Sequence, residues 1–263
     1  MARALVGGLL RQGWAAEAIR VADPAAAARH HLSTAHPGIA LFEDNLEAAA
    51  GAGTWVLAVK PQQAQAVARS LAAAVAGAGR PLLISIAAGI RSGDLARWLG
   101  AGVPVIRCMP NRPALIGCGI TAIYARSDVD AALRARAAAI LGAAGECVWL
   151  ADESLMDAVT AVSGSGPAYV FLLLEMLESA ARAEGLDAAT AHRLALQTVY
   201  GAARMAREGG DEPGVLREQV TSPGGTTAAA LAVLEHADIR GTFTRAVHAA
   251  TLRSRQLAGE PGN

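Results

Sequence analysis

The sequence has little charge and no excess of either sign. Lys and Arg together number 23, as do Asp and Glu, and charged residues make up only 17% of the 263 positions. A balanced chain has no basic surplus to attract phosphate backbones or anionic membranes, so we expect neither nucleic acid nor a membrane as a partner. Because 53% of the residues are apolar, the composition also excludes a disordered chain.

Cysteine is scarce as well. The three cysteines, Cys108, Cys118 and Cys147, are odd in number and too far apart for a zinc knuckle, which indicates reduced thiols in a cytoplasmic protein. The histidines are scattered, and the neighbours His30 and His31 would point in different directions on a helix, so we expect no metal site.

No uninterrupted apolar run approaches the roughly 20 residues that a membrane span requires. The longest stretches are 82–90 and 168–174. Near the start, Arg3 and the apolar residues 4–10 superficially resemble a short signal peptide. Two glycines interrupt that stretch, and its pattern continues as a helix. We therefore interpret it as the first helix of a folded domain.

From residue 14 to about 150, short apolar runs alternate with Ala-rich segments, which is typical of βαβ units and a parallel sheet. Residues 62–75 and 131–141 have high helix propensity. The sequence therefore predicts a doubly wound α/β domain over 1–150. Its predicted strands are 18–22, 39–42, 55–59, 82–86, 103–107, 120–124 and 147–150.

The strand pattern stops after residue 150, which predicts an all-helical second domain over 151–263. The helix from Pro167 is apolar over most of its circumference, more than the single stripe of a surface helix. We expect it to pack against another subunit as well as its own. The predicted helices are 153–162, 167–184, 188–207, 213–219, 226–234 and 239–257.

The segment 219–227 reads QVTSPGGTT and precedes an apolar helix. A helix N-terminus presents unpaired N–H groups and a partial positive charge, so this turn is a candidate anion site. An ordinary Ser/Thr helix cap in an interhelical loop is the alternative, and the residues alone leave both open.

Other segments are less specific. The loops 58–62, 85–89 and 108–111 follow predicted parallel strands, where open α/β sheets bind ligands, although any fold needs such turns. The segment 163–167, SGSGP, is either a structural break or a close approach of backbone to a ligand. Asp152, Glu153 and Asp157 are interpreted as the solvated start of a helix.

Together these segments resemble the pyrroline-5-carboxylate reductase family, in order and over essentially the whole chain. The strongest carriers are 157–169, DAVTAVSGSGPAY, and 220–227, VTSPGGTT. Residues 59–62, 85–89 and 107–111 are also similar to the motifs of the family.

The resemblance implies a Rossmann-like NADP-binding domain and a helical domain that interlocks with a second subunit, often in a larger assembly of dimers. The implied reaction transfers hydride from NADPH, with NADH as the alternative, to the C=N carbon of pyrroline-5-carboxylate. The implied substrate-binding residues are Ser222, Gly224, Gly225, Thr226 and Thr227, the last being catalytic through a hydrogen bond to the ring nitrogen. The implied cofactor-binding residues are Asn45, Ala58, Val59, Lys60, Pro61, Ala87, Ala88 and Asn111.

Two features depart from the family pattern. Arg112 stands where the family usually has Thr. Family members also begin with a strand and a glycine-rich loop ending in Met-Ala, whereas this sequence begins at Met1 and Ala2. We therefore expect the central strand of the sheet to be missing, with a gap between the strands near 18 and 55, and dinucleotide binding to be weak.

Three points stay open. Another imine or hydroxyacid reductase on the same two-domain plan is one alternative, and an inactive chain that serves as an assembly subunit is another. Asp23 resembles the acid that binds the ribose 2′-OH in NAD enzymes, which leaves the choice between NADPH and NADH open.

Overall fold

A computed structural model describes residues 1–75, 77, 79–100 and 102–259. The chain divides into two compact units, the first formed by Met1–Ser165 with the segment from Ala250, the second by Gly166–Ala249. Residues 76, 78 and 101 of the first predicted domain, and 260–263 of the second, lie outside the described part.

The first unit has a Rossmann-like architecture, and the predicted strands are confirmed with small shifts of their ends. The strands are β1 (Arg20–Ala22), β2 (Ala40–Phe42), β3 (Thr54–Leu57), β4 (Leu82–Ser85), β5 (Val105–Met109), β6 (Gly119–Ala125) and β7 (Gly145–Trp149). The helices are α1 (Ala2–Arg11), α2 (Ala26–Ala35), α3 (Asn45–Ala49), α4 (Pro61–Leu71), α5 (Ser92–Leu99), α6 (Ala131–Gly142) and α7 (Met156–Val159).

The strands form two separate hydrogen-bonded groups. β1 pairs with β2 in parallel, and a second sheet has the order β3-β4-β5-β6-β7. Among the described residues, no strand bridges β1 and β3. Val56 lies in the middle of β3, the edge strand of the second sheet, and is 37% exposed. The split lies where the sequence predicts a gap.

The second sheet is mixed, which corrects the expectation of a wholly parallel one. β3, β4 and β5 are parallel to one another, and β7 is parallel to β6, but β6 runs antiparallel to β5. The connection from β5 to β6 is short and contains only a 3₁₀ turn, Arg112–Ile116. A parallel return needs a crossover of a dozen or more residues, so this connection can only reverse the chain.

Helices cover both faces of the second sheet. One apolar cluster joins Leu82 and Ile84 of β4 to α1 and α6, and the other joins Leu83 of the same strand to α4 and α5. Alternate side chains of β4 thus enter opposite cores, so the strand is a continuous apolar run. The first helix predicted from the sequence is confirmed as α1, which buries Leu5 and Leu9.

The second unit is helical, as the sequence predicts. It contains α8 (Gly166–Ala183), α9 (Ala188–Gly209), α10 (Pro213–Gln219), α11 (Thr226–His236) and the first part of α12 (Ile239–Gly259). None of the residues of α8 is buried, and Phe171, Leu172 and Met176 are 57%, 54% and 52% exposed. An apolar helix this exposed in one subunit indicates an interaction surface.

The helical stretch Glu153–Ala183 also has the length and apolar composition of a membrane span. Only 6% of its most apolar 18-residue segment is buried. Counting uninterrupted apolar runs did not reveal it, because charged residues interrupt the sequence. Length and composition are weak evidence on their own, and an exposed subunit interface satisfies the same test.

Candidate functional site

A glycine turn leads into α11 in the second unit. The N–H of Gly225 donates to the carbonyl of Ser222 at 3.0 Å, and Gly224 has a φ of +69°. A positive φ at the third position of a turn favours glycine. Gly225 is the N-cap of α11, and no side chain caps the helix. The interpretation as an ordinary Ser/Thr cap is therefore wrong.

The first N–H groups of α11 are consequently left without a side-chain acceptor, as an anion site at a helix N-terminus requires. Two nearby threonine hydroxyls differ in whether they already form a hydrogen bond. Thr221 Oγ1 donates to the carbonyl of Arg217 at 2.6 Å. Thr227 is half-buried, and within the described part of the chain no hydrogen bond occupies its hydroxyl, which stays free for a ligand.

In the first unit, three loops follow the parallel strands β3, β4 and β5 at their carboxyl ends. After β3, Ala58 and Lys60 are exposed, Val59 is half-buried, and Pro61 opens α4. Lys60 is the N-cap of α4, and no side chain caps this helix either. Proline suits this first helical position, because its missing N–H has no intrahelical partner there.

The loop 86–91 connects β4 to α5. The N–H of Ala87 donates to Ser85 Oγ at 3.3 Å, and Ala88 is exposed. Gly89 has a φ of +76°, and a Cβ placed on it would lie 3.5 Å from the Cα of Ala258 in α12. The last turns of α12 thus pack against this loop.

The chain after β5 reaches Asn111, whose Oδ1 accepts a hydrogen bond from the N–H of Ile120 at 3.0 Å. Asn111 therefore holds the start of β6, a role the sequence did not reveal. Just before it, the Cys108 thiol donates to the carbonyl of Ser85 at 3.1 Å, and burial raises the pKa of this thiol. Arg112 is exposed and opens the 3₁₀ turn.

Asn45 and Asp23 lie at the ends of the two-stranded sheet. Asn45 is the first residue of α3, which follows β2, and the preceding Asp44 caps this helix. Asp23 follows β1, and its Oδ1 accepts the N–H of Ala25 at 2.9 Å. Asp23 thus acts partly as a turn residue.

The segment SGSGP is more than a break between helices. Residues Thr160–Gly164 form a π-helical turn, a form often found at functional sites. A Cβ on Gly164 would lie 2.9 Å from Cε of Met109. Glycine here lets the turn approach the Met109 side chain of β5, while the close approach of this backbone to a ligand stays a prediction.

The interpretation of 152–157 as a solvated helix start is correct only for Asp152, which is exposed and caps Ser154. Glu153 pairs with the buried Arg107 at 3.1 Å, and Asp157 accepts from Ser254 Oγ at 2.7 Å. Burial raises the pKa of Glu153, but hydrogen bonds from Ser92 and Arg107 outweigh it and leave that pKa below its usual value.

The loops after β3, β4 and β5 suit an anionic ligand by their charge. They contain Lys60, Arg91 and Arg112 and carry no Asp or Glu. The uncapped start of α4 adds free N–H donors. These properties suit a dinucleotide bound at the carboxyl edge of the sheet.

Comparison with known proteins assigns both parts of the chain. Residues 153–257 match the family described as pyrroline-5-carboxylate reductase dimerisation, and residues 1–89 match the family described as NADP oxidoreductase, coenzyme F420-dependent. The apolar surface of α8 lies inside the matched dimerisation region. A homo-oligomer is therefore supported, and the exposed apolar face is the kind of surface that a subunit interface buries.

Relatives match over nearly the full length. The pyrroline-5-carboxylate reductase of Pseudomonas aeruginosa is 46% identical, and the alignment covers 100% of this chain and 95% of the relative. A solved pyrroline-5-carboxylate reductase from Coxiella burnetii is 38% identical with a TM-score of 0.92, covering 97% and 94% of the two chains. The pyrroline carboxylate reductase of Plasmodium falciparum, solved with NADP bound, is 29% identical with a TM-score of 0.83, covering 97% and 93%. The chain belongs to the pyrroline-5-carboxylate reductase family.

Proposed function

We propose that this member of the family reduces 1-pyrroline-5-carboxylate to L-proline with NADPH, the last step of proline biosynthesis, NADH being the alternative cofactor. The observation that carries the proposal is the glycine turn before α11, whose helix N-terminus has no side-chain cap. The substrate is a small anion, and such an N-terminus binds a carboxylate without a cationic side chain.

On the substrate side, the backbone of Ser222, Gly224, Gly225, Thr226 and Thr227 binds the carboxylate. The Thr227 hydroxyl accepts a hydrogen bond from the protonated ring nitrogen and so stabilises the iminium, which accepts hydride more readily than a neutral imine. The free state of this hydroxyl in the described structure supports that role. Thr227 is thus the catalytic residue of the proposal.

On the cofactor side, the dinucleotide lies along the carboxyl edge of the sheet and supplies the hydride when bound. Loops of the first unit orient it, and Asn45 lies near the adenosine ribose. The remaining cofactor-binding residues in the proposal are Ala58, Val59, Lys60, Pro61, Ala87, Ala88 and Asn111. The protein orients the nicotinamide ring and the pyrroline ring relative to each other and excludes water.

We further propose that 1–150 serves the dinucleotide and 151–263 serves substrate binding and dimerisation. The assembly is a homodimer or a multiple of one, built on the apolar face of α8. The balanced charge and the few cysteines support a cytoplasmic enzyme with neither nucleic acid nor a membrane as partner.

A substrate screen tests the proposal. NADPH oxidation is followed with pyrroline-5-carboxylate, with other cyclic imines and with keto acids that yield hydroxyacids. The expected result is the highest kcat/KM with pyrroline-5-carboxylate. A higher value for another imine or a keto acid would favour the alternative reductase, and NADPH binding without turnover of any of them would favour the inactive subunit.

A further inference from the structure

A single carboxylate joins three separate parts of the first unit. Glu153 Oε1 accepts the N–H of Ser92 at 2.7 Å and Arg107 Nη1 at 3.1 Å, while its Oε2 accepts Ser92 Oγ at 2.7 Å. The side chains of Arg107 and Glu153 are only 8% and 21% exposed. We call these three residues the Glu153 bridge.

The Glu153 bridge holds one end of the loop 86–91 directly and lies beside the other end. Arg107 lies opposite Ser85 in the register of β4 and β5, so it stands beside the residue that precedes the loop. Ser92 is the residue that follows the loop and begins α5. Glu153 itself comes from a distant part of the chain, after β7. The Ser92 end of the loop therefore cannot shift without breaking hydrogen bonds to this carboxylate, and the Ser85 end adjoins the strand residue that the same carboxylate binds.

We propose that Glu153 is a positioning residue for the nicotinamide end of the bound dinucleotide. It acts through the loop 86–91, whose Ala87 and Ala88 are cofactor-binding residues in the proposed function, on which this inference rests. We place these two residues at the nicotinamide end. Half-buried charge-assisted hydrogen bonds are strong and directional, which suits the task of holding a loop in one geometry. The adenosine end, placed near Asn45, lies outside the reach of the bridge.

The test compares two ligands on the purified full chain. Glu153→Gln removes the charge and one acceptor oxygen with little change of volume. Its NADPH Kd, measured by fluorescence, is expected to rise about 10-fold, which is the effect of losing one charge-assisted hydrogen bond. The Kd of 2′,5′-ADP, which lacks the nicotinamide, is expected to stay within about two-fold, because a positioning effect is local.

Two further variants complete the design. Glu208→Gln removes the carboxylate of an exposed ion pair with Arg204 and is the matched control, expected to bind both ligands as the wild type does. Ser92→Ala removes only one hydroxyl of the bridge. It is expected to weaken NADPH binding less than Glu153→Gln does. If Glu153→Gln does not fold, the comparison of the two ligands is made with Ser92→Ala.

Unchanged NADPH affinity in the folded bridge variants, or an equal loss for 2′,5′-ADP, would overturn the inference. The proposed function fails in a different way. A wild type that binds NADPH but reduces no cyclic imine would refute the reaction, while the affinity comparison would still decide the role of Glu153. A wild type that binds no NADPH would refute both.

Discussion

Replacing Thr227 by Val tests the proposed chemistry most directly. The substitution removes one hydroxyl and keeps the branched shape of the side chain. In the described structure this hydroxyl engages no protein group, and Val and Thr have similar helix propensities. The free energy of unfolding should therefore change little, so a kinetic effect cannot be attributed to a damaged fold.

The expected loss follows from the bond that the hydroxyl makes in the proposal. A hydrogen bond to a charged group contributes about 1.5 to 3 kcal/mol. Since every 1.36 kcal/mol is a factor of ten in rate, kcat/KM for pyrroline-5-carboxylate should fall about 10- to 150-fold. Most of that fall should appear in kcat if the substrate binds as the neutral imine and is protonated in the site, and in KM if it binds already as the iminium, because the hydrogen bond is made to the charged form.

The assay is steady-state kinetics with matched thermal melts, using two comparison variants. Thr227→Ser keeps the hydroxyl and should retain most of kcat/KM. Thr34→Val removes a hydroxyl that donates to the carbonyl of His30 on the exposed helix α2, and it should leave kinetics unchanged. An unchanged kcat/KM in Thr227→Val, or an equal loss in Thr227→Ser, would refute the role of the hydroxyl.

Three further predictions concern stability and assembly. Gly8→Ala should lower the free energy of unfolding by about 1 to 3 kcal/mol in denaturant titration, because its Cβ would collide with the carbonyl of Ala143. Gly7→Ala should be neutral or stabilising, because its Cβ would meet the end of the flexible Arg11 side chain at 3.3 Å and the His36 ring at an ordinary contact distance of 3.6 Å. The pKa of Glu153 is lower in the folded protein than in the unfolded chain, so its ionised carboxylate stabilises the fold at pH values above the unfolded pKa of about 4.3. The difference in melting temperature between wild type and Glu153→Gln should therefore be largest at neutral pH and shrink as the pH falls below about 4.3. A difference that does not change with pH would contradict this. Phe171→Glu should shift the sedimentation coefficient toward the monomer, and a stable wild-type monomer at micromolar concentration would contradict the role of α8.

Local patterns predicted the elements because local forces determine them. The apolar run 82–86 became β4, buried on both faces, and the glycine turn before Thr226 became the start of α11. The direction of β6 was missed although the evidence was in the sequence. Only nine residues, 110–118, separate β5 from β6, and counting them against the length of a crossover helix would have predicted the reversal.

Contacts between distant residues explain what sequence patterns could not supply. Glu153 stands in a polar stretch that resembles a solvated helix start, and its partner Arg107 is 46 positions away. Nothing in the periodicity of either segment indicates the other. An arginine inside the otherwise apolar strand β5 was the available signal, since a buried charge requires a partner. The buried arginine indicates that an acidic partner exists, but it does not identify which Asp or Glu that partner is.

The last turns of α12 extend the same reasoning to the end of the chain. The helical pattern of 239–257 places this helix in the second domain, yet the segment from Ala250 packs with the first unit. There Ser254 donates to Asp157, and Ala258 lies against Gly89 in the loop 86–91. The positive φ of Gly89 is what favours glycine in this loop, since a Cβ there would meet Ala258 only at an ordinary contact distance of 3.5 Å. The loop whose Ser92 end the Glu153 bridge holds is therefore also supported in its middle by α12. Substitutions at Ala258 should thus weaken NADPH binding at the proposed dinucleotide site, although the sequence assigns that helix to the other domain.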